Sequence, residues 1–128
     1  MKKILVVDDE ENIRFIMSLL LSKTQLFTVL LAKNGNEALE IIDENKDIRC
    51  VISDIMMPEM GGIQLYQHLK CHNVDIPFIF MSGYNESGDA EIINENNLIF
   101  FTKPFSFNNI LKEVEKLIFE QDVEVVLV

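Results

Sequence analysis

Five short stretches of the chain are apolar at nearly every position: KILVVD (3–8), FTVLLA (27–32), RCVISD (49–54), PFIFMS (77–82) and LIFFT (98–102). Runs of this length, rich in β-branched and aromatic residues, predict strands covered on both faces. The segments between them carry helical spacing instead. Over residues 12–23, Ile13, Ile16, Met17, Leu20 and Leu21 recur at i, i+3, i+4, i+7 and i+8, which predicts an amphipathic first helix. NGNEALEIIDEN opens with the start signals Asn34 and Gly35 and offers Ala38, Leu39 and Ile42 to a core. IQLYQHLKCH supplies a third helix and SGDAEIINEN, with few apolar anchors, a weaker fourth. SFNNILKEVEKLIFE starts at Ser106 as N-cap and lines up Ile110, Leu111, Val114, Leu117 and Ile118, predicting a fifth. Strand and helix thus alternate five times, the pattern of βα units around a parallel sheet.

In an open parallel sheet, ligands gather beyond the carboxyl ends of the strands. Here those ends carry Asp8 and Asp9 after the first strand, Asp54 after the third, Ser82 after the fourth and Lys103 after the fifth. Three carboxylates drawn together repel unless a cation joins them. Oxygen ligands at a wet site select Mg²⁺ or Mn²⁺, whereas zinc favours His and Cys. A divalent ion, a lysine and a hydroxyl beside a carboxylate suit phosphoryl transfer, with the carboxylate as nucleophile and an acyl phosphate as product.

Composition narrows the partners. The chain has 128 residues, 48% of them hydrophobic, with 11 basic against 21 acidic side chains and a net charge of −10. That length fits one domain, residues 1–120, followed by an apolar and acidic tail, QDVEVVLV (121–128), which fits either an extended helix, an added strand or self-association as a homodimer. The negative balance disfavours direct contact with nucleic acid or an anionic membrane surface. Only Ile4 to Val7 follow the two N-terminal lysines, too short for a signal-peptide core, and no run is long enough to insert in a membrane, so a cytoplasmic location is expected. Cys50 and Cys71 read as a buried small hydrophobe and a half-exposed thiol.

The acidic pair Asp8-Asp9, the string DIMMPEMGG containing Asp54, Met57, Pro58, Met60 and Gly62, MSG with Ser82, and TKPF with Lys103-Pro104 occur in order at strand ends. Together they resemble the receiver domain of two-component response regulators, over residues 3 to about 120. The resemblance implies a flavodoxin-like (βα)5 three-layer α/β sandwich with strand order 2-1-3-4-5, an order that the family carries and spacing does not give. It implies a stand-alone domain whose Asp54 accepts a phosphoryl group from a sensor histidine kinase or a histidine phosphotransfer protein. Asp9, Asp54 and the main-chain carbonyl of Met56 would hold Mg²⁺, with Asp8 acting through water. Lys103 would contact the phosphoryl group, ahead of a cis peptide at Pro104. Ser82 and Phe100 would form the switch, and Phe100 lacks the hydroxyl of the tyrosine many members carry there. The face of the fourth helix, fifth strand and fifth helix would then meet a downstream protein target or, in a relay, the phosphate would pass onward. The exposed side of the first helix would be a second docking surface.

Other functions are weighed by the same residues. Hydrolases of the haloacid-dehalogenase type need a second Asp two positions after the nucleophile, and Met56 stands there. A flavin phosphate would want hydroxyls and backbone donors where the first loop is acidic, and the chain lacks a G-x-x-x-x-G-K-[ST] string. A degenerate receiver acting as a phosphorylation-independent interaction module is the remaining alternative. His68 and His72, at i, i+4 with Cys71 beside them, have a spacing that can bind metal, yet with no further ligand in the pattern they read as an exposed helix surface.

Overall fold

The structure, a computed structural model, describes residues 1–83, 98–102 and 106–120. The five apolar runs form strands β1 (Lys2–Val7), β2 (Phe27–Ala32), β3 (Ile48–Asp54), β4 (Phe78–Ser82) and β5 (Ile99–Thr102). They pair in parallel in the order β2-β1-β3-β4-β5. The described helices are α1 (Glu11–Ser22), α2 (Gly35–Glu44), α3 (Gly62–Cys71) and the C-terminal helix (Phe107–Glu120). The expected fourth helix and the tail lie outside the described residues.

Side chains alternate across a strand, and the two faces of the sheet carry separate cores. Leu5 and Val7 of β1 join Ala32, Val51 and Phe80 against Ala38 and Ile42 of α2 and Leu65 and Leu69 of α3. Ile4 and Val6 point the other way, joining Cys50, Ile52, Ile79 and Met81 against Met17 and Leu21 of α1 and Ile110, Val114 and Ile118 of the C-terminal helix. This three-layer arrangement explains why the runs lack polar alternation: a polar residue at any of these positions would be buried without water. Phe100 and Phe101 divide in the same way, each partly buried, one packed on either core.

Two elements start where their caps dictate. Asn34 precedes α2, and its side-chain oxygen accepts from the Glu37 amide at 2.8 Å, satisfying one of the free N–H groups of the first turn. Gly61 precedes α3, and its amide donates to Gln64 Oε1 at 3.0 Å. The first helix departs from its expected face. Met17 and Leu21 are buried, but Ile16 is 49% exposed, beside Phe15 at 65% and Leu19 at 46%. The helix is apolar on more than the stripe the sheet can cover, so periodicity alone assigns Ile16 to the wrong side.

Candidate phosphoacceptor site

From β1 the chain crosses to β2 on one side of the sheet and from β3 to β4 on the other, and the crevice at such a switch point lies above the carboxyl ends of β1 and β3. Asp8 and Asp9 follow β1, and Asp54 is the last residue of β3. One carboxylate oxygen from each of the three lies within 4.8 Å of the others. Asp8 and Asp54 are buried and Asp9 is exposed, so the cluster has a dry floor and a wet mouth.

Local hydrogen bonds hold each acid in place. Asp8 Oδ1 accepts from the Glu10 amide at 2.9 Å, the Asx-type turn that launches α1. Its own amide continues the sheet by donating to Ala32 O at 3.1 Å. Arg14, one turn into α1, donates from Nη1 to the Asp8 carbonyl at 2.7 Å, so the helix grips the loop that feeds it. Asp54 Oδ1 accepts from the Met56 amide at 3.2 Å, while the Met56 side chain is exposed. The Asp54 carbonyl accepts from Ser53 Oγ at 2.9 Å.

The start of α3 lies hard against this point. A Cβ on Gly62 would run into the Asp54 carbonyl oxygen and come 2.8 Å from Ser53 Oγ, so only glycine admits the close approach. The loop between β3 and α3 is also tied to α2. The Gly35 amide donates to Met60 O at 3.0 Å, and Asn34 Nδ2 donates to Glu59 Oε2 at 3.2 Å. Glu59 itself has φ of 69°, a left-handed conformation that these ties hold in place.

Ser82 ends β4, fully buried, in register with Thr102 of β5. Lys103 and Pro104 follow Thr102 directly but lie outside the described residues. The structure therefore brings Asp8, Asp9 and Asp54 together, sets Ser82 at the end of the strand beside β3, and puts Phe100 on β5 against the α2–α3 side. Sequence reading missed Arg14, Ser53 and Gly62 as supports of the site. Arg14 had only its place in the first turn of a helix to mark it, and Gly62 was noticed as part of a string without the contact that requires it.

Two unit charges about 4 Å apart repel by about 4 kcal/mol at an effective dielectric of about 20. Three carboxylates on one crevice can therefore hold a cation between them. With oxygen donors only and water at the mouth, the donor set fits a hard divalent ion that keeps part of its hydration shell.

The response regulator receiver domain model matches residues 4–115. The chain belongs to this family. Receiver domains are the phosphoacceptor modules of two-component signalling, and this chain is one of them. It is 39% identical over 118 residues to the chemotaxis protein CheY1 of Helicobacter pylori, covering 87% of this chain and 91% of that protein. It is 36% identical over 123 residues to the sensor kinase CckA of Brucella abortus, covering 93% of this chain but 13% of the kinase. Among solved structures, a receiver domain from Clostridium thermocellum superposes with a TM-score of 0.85 at 26% identity, covering 95% of this receiver and 98% of that chain. The receiver domain of the hybrid histidine kinase CckA gives 0.73 at 32% identity, covering 91% and 98%. The family carries the fold and strand order seen here.

Proposed function

We propose that Asp54 is the phosphoacceptor and that Asp9 and Asp54, with the main-chain carbonyl of Met56, hold Mg²⁺, Asp8 acting through water. The observation that carries this reading is the convergence of three carboxylates within 4.8 Å at the switch point of the sheet. When bound, the ion neutralises charge on the phosphoryl oxygens. A carboxylate oxygen of Asp54 attacks phosphorus, the P–N bond of a phosphohistidine breaks, and the imidazole leaves with the electron pair. Asp54 suits the role because the Met56 amide and the β3 backbone fix the carboxylate before the donor arrives. Lys103 supplies a second positive charge to the phosphoryl group, and the Ser82 hydroxyl donates to it once formed. The donor is a histidine kinase or a phosphotransfer protein, and the modified face meets a downstream protein. Phe100, partly buried on the edge strand β5, couples Ser82 to that face.

The donor needs a surface beside the acids. Phe15, Ile16 and Leu19 form an exposed apolar patch on α1, the helix that starts directly after Asp8 and Asp9. Apolar side chains at i and i+4 present one ridge to a partner helix.

Incubation with acetyl phosphate, with and without Mg²⁺, followed by intact mass, tests the assignment. One Mg²⁺-dependent phosphoryl adduct, lost in Asp54→Ala, is the expected result. An adduct that persists in Asp54→Ala would move the acceptor elsewhere. The absence of any adduct from acetyl phosphate and from a phosphorylated histidine donor would favour a phosphorylation-independent interaction module.

A further inference from the structure

The acid cluster leaves two chemistry-bearing residues unused. His68 and His72 stand on the last turn and C-cap of α3, at the opposite end of the helix from the Gly62 contact with Asp54. A ten-residue helix separates its two ends by about 15 Å. The imidazole rings are stacked, with centroids 4.3 Å apart and planes 24° from parallel. They line a groove of about 260 Å³ between α2 and α3, with Asp43 and Lys46 on the α2 side.

One hydrogen bond decides what the pair can do. His72 Nδ1 lies 2.8 Å from the main-chain carbonyl of His68. A carbonyl oxygen only accepts, so the ring that makes this bond carries its proton on Nδ1 and, when neutral, keeps a lone pair on Nε2. Metal-ligating histidines are typically fixed in this way, one ring nitrogen donating to a carbonyl while the other ligates. Two imidazole nitrogens bound side by side to one ion stand about 3 Å apart. The stacked planes do not converge on a common point, so ligation requires a ring to turn out of the stack, which the exposure of both side chains allows. The carboxyl end of a helix also favours a cation.

We propose that His68 and His72 form a second metal site, a two-imidazole chelate for a borderline divalent transition ion of the Zn²⁺, Ni²⁺ or Cu²⁺ class, with water at the remaining positions. Its nitrogen donors select against Mg²⁺, just as the carboxylates of the first site select for it. The two sites are therefore chemically independent. Cys71 is exposed on the same turn, and the two-imidazole chelate does not require it.

The test uses Ni²⁺, which does not oxidise the thiol, titrated into the full chain saturated with Mg²⁺ and followed by the imidazole NMR signals. The expected result is selective broadening of the His68 and His72 rings at low Ni²⁺. Affinity should fall about tenfold or more in either His68→Ala or His72→Ala and stay unchanged in Cys71→Ser. Both histidines are exposed, so the variants should melt as the parent does, which separates lost ligation from lost fold. Unchanged affinity in His72→Ala, or binding that disappears in Cys71→Ser, would overturn the proposal.

Discussion

Cys50 and Cys71 differ only in where the fold puts them. Burial among Ile4, Ile52 and Met81 pushes the Cys50 thiol up to about 12, because the thiolate has no water to solvate it. Only thiolate reacts. A disulfide reagent at neutral pH should therefore modify one thiol quickly, at Cys71, and the second only on unfolding; two fast thiols would contradict the packing. A thiol raised in the folded state favours folding below its unfolded value and ceases to do so as pH rises towards 12, so stability should decline on the alkaline side. Gly62 poses the reverse case, where two effects compete at one position. Alanine is the better helix former by about 1 kcal/mol, but its Cβ would collide with the Asp54 carbonyl and Ser53 Oγ. Overpacking against backbone costs about 1–3 kcal/mol, so Gly62→Ala should lower stability in urea and weaken Mg²⁺ binding together. An unchanged midpoint would mean that α3 shifts freely.

At the scale of elements, α1 carries the sharpest contrast between pattern and structure. A helix in the outer layer can bury one stripe, here Met17 and Leu21, and any further apolar residues remain for a partner. Phosphotransfer from a protein donor should fall roughly 30-fold in Phe15→Asp or Leu19→Glu, the loss of one interface anchor of about 2 kcal/mol. Labelling by acetyl phosphate, which needs no docking surface, should be unchanged; equal loss from both donors would place the damage in the fold. The strands were legible because burial on both faces removes polar positions altogether, leaving runs such as Ile4–Val7 with no competing period. The acids were legible through topology, since only a parallel sheet of βα units brings residues 8, 9 and 54 to one edge. Ile16 was misassigned because a 3.6-residue period locates a face without giving its width. Arg14 and Glu59 were invisible for a different reason: their roles lie in contacts to main-chain carbonyls and across loops, which no spacing rule encodes.

For the molecule as a whole, the acid cluster sets stability against function. Net charge is already −10, and three carboxylates share one crevice whose floor excludes water. Each close pair costs between about 1 kcal/mol, if well solvated, and about 4 kcal/mol at a lower effective dielectric. A cation that binds only the folded state returns this cost by mass action, about 2.7 kcal/mol at one hundred times its dissociation constant. Asp9 is the exposed member, so Asp9→Asn removes a charge without burying an unpaired amide. In the absence of Mg²⁺ the variant should melt a few degrees higher than the parent, at roughly 4 °C per kcal/mol for a domain of this size. With saturating Mg²⁺ the order should reverse, because the parent gains the ion's binding energy and the variant gains little. Thermal melts of both chains across a Mg²⁺ series measure the crossing directly. A variant less stable than the parent at every concentration would mean that the Asp9 carboxylate supports the β1–α1 turn, and that the cluster is held together by contacts stronger than its own repulsion.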